Sequence, residues 1–114
     1  MARVLLVEDD PGALELRKLI FEHHGHAVIA VNNAASAREQ FHANPPESVI
    51  LDLRLPHPED GFALIREFRA SSPQVKIVVV SGWCADLDGR TEGALVDLIL
   101  SKPVRSEALL GAIS

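Results

Sequence analysis

Cysteine is almost absent from this chain: Cys84 is the only one among 114 residues. A lone cysteine excludes an internal disulfide and suits a reducing compartment. Basic residues are also scarce, eleven Lys and Arg against sixteen Asp and Glu, which gives a formal net charge of −5. That balance argues against nucleic acid or an anionic membrane as the main partner. Long hydrophobic runs are missing too. The longest apolar stretches, such as Ala27–Val31, reach only five residues, far short of the roughly 20 needed to cross a bilayer. Met1-Ala2-Arg3 runs directly into Val4-Leu5-Leu6-Val7, leaving no room for a secretory leader, so the expected setting is cytoplasmic.

What is present is the material of one packed domain. Apolar residues make up 47% and charged residues 24%, which places the chain among globular rather than disordered sequences. Five short runs rich in Val, Ile and Leu recur: Val4–Val7, Ala27–Val31, Val49–Leu51, Ile77–Val80 and Leu98–Leu100. None alternates cleanly with polar residues, the pattern of strands covered on both faces in a mostly parallel sheet. The segments between them read as helices. Asp10-Pro11 opens one well, with Leu14, Leu16, Leu19, Ile20 and Phe21 as its apolar side and Gly25 as its stop. Asn33 caps a second, with Ala34, Ala37 and Phe41, ended by Asn44-Pro45-Pro46. A third runs from Gly61 to Ala70, turning Phe62, Leu64, Ile65 and Phe68 inward. The fourth, about Leu87 to Leu95, is weakened by Gly89 and Gly93. Ser106 starts a last one, which the sequence cuts off after about two turns. The result is βα repeated five times: an α/β, doubly wound, three-layer domain over residues 1–114, with the final helix expected to be truncated and a longer protein to follow.

In an open parallel sheet, ligands sit outside the carboxyl ends of the strands. There the first strand delivers Glu8-Asp9-Asp10, the second Asn32-Asn33, the third Asp52, the fourth Ser81-Gly82 and the fifth Ser101-Lys102-Pro103. Glu8, Asp9 and Asp52 brought together repel one another; at about 4 Å and an effective dielectric near 20, each pair costs roughly 4 kcal/mol. Lys102 offsets one of the three charges, and a hard divalent cation, Mg²⁺ with Mn²⁺ as an alternative, would offset the rest. Carboxylate, cation, ammonium and hydroxyl together form a set suited to phosphoryl groups. Taken singly, each residue has a plain structural reading: Asp9 or Asp10 as a helix cap, Lys102-Pro103 as a loop, Ser81-Gly82 as a turn. Their joint occurrence at four strand ends favours the chemical one.

These segments resemble the receiver domain of two-component response regulators, the CheY-like superfamily. The resemblance is carried by Val4–Pro11, by Asp52-Leu53-Arg54-Leu55-Pro56 with the later Asp60-Gly61, by Val78–Gly82 and by Ser101-Lys102-Pro103, and it covers essentially the whole chain. It implies a flavodoxin-like (βα)₅ fold with strand order 2-1-3-4-5. By position it also implies Asp52 as phosphoacceptor, and Glu8 and Asp9 as the acidic pair, Asp9 on the metal directly and Glu8 through water. The Arg54 backbone carbonyl would be a third protein ligand, Ser81 the switch hydroxyl, and Lys102 the ammonium that pairs with the phosphoryl group. A cis Lys102–Pro103 bond is expected as well. The implied partners are a sensor histidine kinase or phosphotransfer domain, an output domain or partner protein, and a second copy of the chain, with no nucleic acid and no membrane. The implied role is phosphorelay signalling through a face built from the fourth helix, fifth strand and fifth helix. It is not enzymatic beyond self-catalysed aspartyl phosphorylation and dephosphorylation.

Three departures stand out. Ile99 occupies the place, three residues before the lysine, where the family usually carries Tyr or Phe, and the chain has no tyrosine at all. Gly61 lies nine residues after Asp52, one more than is typical, which puts an insertion in Pro56-His57-Pro58-Glu59. The stretch from Trp83 to Gly93 matches poorly. A phosphorylation-independent interaction module is therefore the alternative reading. A haloacid-dehalogenase-type phosphatase fits less well: it needs a second Asp where Arg54 stands, and a longer chain. Trp83, expected beside the site, would shield an acyl phosphate from water. His23, His24 and His26 read as a solvated helix end, and Cys84 as a packing residue.

Overall fold

The computed structural model describes residues 2–53, 55–82, 87 and 89–113. Five strands, β1 (Arg3–Val7), β2 (Ala27–Val31), β3 (Ser48–Asp52), β4 (Lys76–Ser81) and β5 (Leu98–Ser101), form one sheet in the order β2-β1-β3-β4-β5 with every pairing parallel. Each strand coincides with one of the five apolar runs. Because side chains alternate across a strand, the central strands feed two cores. Leu5, Val7, Val49, Leu51, Ile77 and Val79 belong to one, while Val4, Leu6, Ile50, Val78 and Val80 belong to the other.

Helices close both faces. α1 (Pro11–His23) and α4 (Ser106–Ile113) cover the second core through Phe21, Leu109, Ala112 and Ile113. α2 (Ala34–Ala43) and α3 (Pro58–Ser71) cover the first, where the Phe41 and Phe68 rings stack with centroids 4.1 Å apart. The caps follow the sequence signals: Asp10 accepts from the Ala13 N–H (3.1 Å) and Asn33 from that of Ser36 (2.8 Å). Gly25 takes the left-handed conformation (φ 86°) that ends α1.

Three sequence expectations need correction. α1 does not bury all five of its named apolar residues: Leu16 and Leu19 are 60% and 54% exposed, and the buried positions are Arg17 and Phe21. α3 begins at Pro58, not Gly61, because Pro58 suits the first helical position and the Asp60 carboxylate accepts from the His57 N–H (3.1 Å). Half of the expected insertion loop is thus helix, and the other half turns on a cis Leu55–Pro56 bond. Of the fourth helix expected over about Leu87 to Leu95, the described residues hold a five-residue 3₁₀ segment, Thr91–Leu95, and Asp88 lies outside them. Ion pairs and a backbone contact hold this segment: Glu92, buried, accepts from Arg66 and Arg90, and Arg69 of α3 donates to the Leu95 carbonyl (3.0 Å) and to Asp97 (2.9 Å). No helix among the described residues is long and apolar enough to cross a membrane.

Candidate functional site

Strands β1, β3, β4 and β5 end on the same edge of the sheet, so the fold gathers residues from both ends of the sequence. Parallel register does the aligning: Val7 pairs with Leu51, Asp52 with Val80 and Ser81 with Ser101. Beyond those pairs, one carboxylate oxygen from each of Glu8, Asp9 and Asp52 comes within 4.8 Å of the others. Glu8, Asp52 and Ser81 are buried, whereas Asp9 is exposed. Lys102 reaches in from the end of β5, its Nζ 2.5 Å from Asp52 Oδ2 and 3.7 Å from Glu8 Oε2. Its backbone N–H donates to the Ser81 carbonyl (2.9 Å), tying the end of β5 to that of β4, and the Lys102–Pro103 bond is cis as expected.

One residue at the site went unread in the sequence. Arg17 projects from the buried side of α1, and its Nη1 donates to Glu8 Oε2 at 2.7 Å. The other Glu8 oxygen, Oε1, accepts from the Asp10 N–H at 3.1 Å. Both oxygens of Glu8 are therefore engaged within the protein. A signal was available: Leu14, Arg17 and Phe21 fall at the three- and four-residue spacing of one helix face, so the charge sits on the apolar stripe.

Electrostatically the cluster is three carboxylates against two cations. Burial, and then the neighbouring Asp52 carboxylate, push Glu8 up to about 7, while the Asp10 N–H and the Lys102 ammonium pull it down. A rim of hard oxygen donors that includes the Asp9 and Asp52 carboxylates suits a small divalent cation. Arg54 and Trp83, for which the resemblance implies a ligand carbonyl and a shield, and Cys84, read as a packing residue, lie outside the described residues. Ile99 is described, on β5, and is 37% exposed.

The response regulator receiver domain model matches residues 4–114 of this chain. Among curated relatives, the virulence transcriptional regulatory protein PhoP of Salmonella typhimurium is 33% identical over 113 residues, which is 96% of this chain and 49% of PhoP; the chain thus spans about half the length of that relative. Among solved structures, a sensor protein from Polaromonas sp. JS666 is 34% identical with a TM-score of 0.85, over 97% of this chain and 91% of that one. A CheY-like receiver domain from Methylobacillus flagellatus is 32% identical with a TM-score of 0.83, over 100% and 99%. With a parallel 2-1-3-4-5 sheet, an acidic rim and these matches, the chain belongs to the response regulator receiver domain family.

Proposed function

We propose that residues 1–114 act as one phosphoryl-accepting switch in a phosphorelay, with Asp52 as the acceptor. The observation that carries this is the Asp52 carboxylate itself: buried, 2.5 Å from the Lys102 ammonium, and within 4.8 Å of the Glu8 and Asp9 oxygens. A buried carboxylate at a strand end, held by an ammonium on one side and facing an acidic rim on the other, is placed to act as a nucleophile rather than as a cap.

In the proposed reaction an Asp52 oxygen attacks the phosphorus of a phosphohistidine on a histidine kinase or phosphotransfer domain. The new P–O bond forms as the P–N bond breaks, and the histidine nitrogen keeps the electron pair. Lys102 then exchanges its contact with the unmodified carboxylate for one with a phosphoryl oxygen, and the Ser81 hydroxyl donates to another. Asp9 and Asp52, with the Arg54 carbonyl, would hold Mg²⁺ or Mn²⁺, and Glu8, whose oxygens already accept from Arg17 and the Asp10 N–H, would act through water. Such a cation neutralises phosphoryl charge when bound. Water attack on the acyl phosphate resets the switch, so the chain catalyses only its own modification. An output domain, a partner protein or a second copy of the chain would read the phosphorylated state.

Incubation with a small-molecule phosphodonor and Mg²⁺ is expected to label the native chain, with the label mapping to residue 52, and to leave Asp52→Asn unlabelled. Labelling of Asp52→Asn at the native rate would overturn the assignment. Failure of the native chain to label, with the fold intact, would favour a phosphorylation-independent interaction module, the reading to which Ile99 in place of an aromatic already lends weight.

A further inference from the structure

A guanidinium buried beside an acidic metal site does something the carboxylates and Lys102 do not. It occupies, as a permanent part of the protein, electrostatic space that a cation would otherwise fill. Arg17 is buried on α1, donates to Glu8 Oε2 at 2.7 Å, and shares that oxygen with the Lys102 ammonium at 3.7 Å. Glu8 Oε1 is bound to the Asp10 N–H. An ion that ligated Glu8 would have to share an oxygen with one of these donors, and the charge available to attract an ion is reduced by one.

We propose that Arg17 is a positioning residue and resident counter-ion that holds Glu8 out of direct coordination and sets a weak affinity for the divalent cation. The inference rests on the phosphoryl-acceptor reading, since that reading supplies the metal. Its physical content is competition: Arg17 stabilises the acidic rim when no ion is bound, and an ion gains less by entering a rim already partly neutralised. Glu8 acts from behind, ordering water rather than touching the ion. The cation requirement then becomes a graded one, met only where the divalent ion is plentiful.

Arg17→Met removes the charge but keeps an unbranched apolar stem against Leu14 and Phe21. Isothermal titration of the folded chain with Mg²⁺ is expected to show binding about tenfold tighter in Arg17→Met than in the native protein, with Arg17→Lys within about threefold of native. A merely structural role for Arg17 predicts the reverse, unchanged or weaker binding in Arg17→Met, and that result overturns the proposal. If Arg17→Met is unfolded without metal, Arg17→Gln, which keeps a donor to Glu8 without the charge, carries the test: tighter Mg²⁺ binding than native supports the proposal, and equal or weaker binding overturns it. A native chain that binds no Mg²⁺ sinks both this inference and the metal-dependent acceptor reading. Native binding matched by equal affinity in Arg17→Met sinks the inference alone.

Discussion

Glu8 carries the most perturbed chemistry at the level of single residues. Its carboxyl is raised from an ordinary value of 4.5 to about 7 in the folded chain, by burial first and Asp52 second. An acid with a raised folded pKa holds its proton more tightly when folded, so its contribution to stability is fully present below about pH 4.5 and is lost as pH rises through 7. The shift corresponds to at most about 3 kcal/mol. Denaturant midpoints measured in chelator should therefore fall between pH 5 and pH 8, and Glu8→Gln should flatten that fall; a slope unchanged in Glu8→Gln would assign it elsewhere. Much of the site at this scale was legible in the sequence. Glu8, Asp9, Asp52, Ser81 and Lys102 each follow or end an apolar run, and a charge that ends a buried strand has few reasons to be there other than chemistry. Arg17 was missed because a charged residue in a helix reads as solvent-facing until its phase is compared with Leu14 and Phe21.

Among the elements, α3 is the one whose position is enforced by a single atom's absence. A Cβ on Gly61 would lie 2.2 Å from the Leu53 carbonyl oxygen and 2.8 Å from the Leu53 Cα, so α3 packs backbone to backbone against the residue that follows Asp52. Overpacking of this kind against main chain destabilises by about 3 kcal/mol. Gly61→Ala should lower the melting temperature by roughly 10 °C, and because Leu53 adjoins Asp52 it should also slow labelling of that residue. The 3₁₀ segment is held differently. Glu92 is lowered to about 2 by its own backbone N–H, by Arg90 and by Arg66. A depressed carboxyl stabilises the fold above its ordinary value and stops doing so as pH falls through 4.5 toward 2. Acid should loosen this segment, and hydrogen exchange of its amides at pH 3 and pH 7 should differ less in Glu92→Gln than in the native chain. The strands are legible because the apolar runs are three to five residues long, too short for a helix, and most are rich in Val and Ile. The fourth helix was over-read, since Gly89 and Gly93 lower helical propensity and side chains of Arg66, Arg69 and Arg90 take over the anchoring. The start of α3 was under-read because Pro56 and Pro58 look alike in sequence, although one precedes the helix and the other begins it.

Over the whole molecule, the sheet makes the two cores one cooperative unit, and the site inherits that. Leu6 and Ile50 face α1 and α4 while Leu5 and Leu51, their chain neighbours, face α2 and α3. Neither face can be lost without exposing strands that the other needs. Ile50→Ala and Leu51→Ala should each destabilise by about 2–5 kcal/mol, with fluorescence and far-ultraviolet dichroism following the same transition in both. The acidic rim is assembled from the ends of β1 and β3, with Lys102 from the end of β5, so any cation held there binds only the folded chain. Such a ligand stabilises by mass action, by about 2.7 kcal/mol at a hundred times its dissociation constant, which for a domain of this size is roughly 10 °C. Asp9 is the variant that isolates this effect: it is exposed and belongs to neither core. Asp9→Asn should melt near the native temperature in chelator and fail to rise when Mg²⁺ is added. A rise equal to the native one would mean that the ion acts elsewhere on the surface, and that the rim formed by Glu8, Asp9 and Asp52 serves some purpose other than holding it.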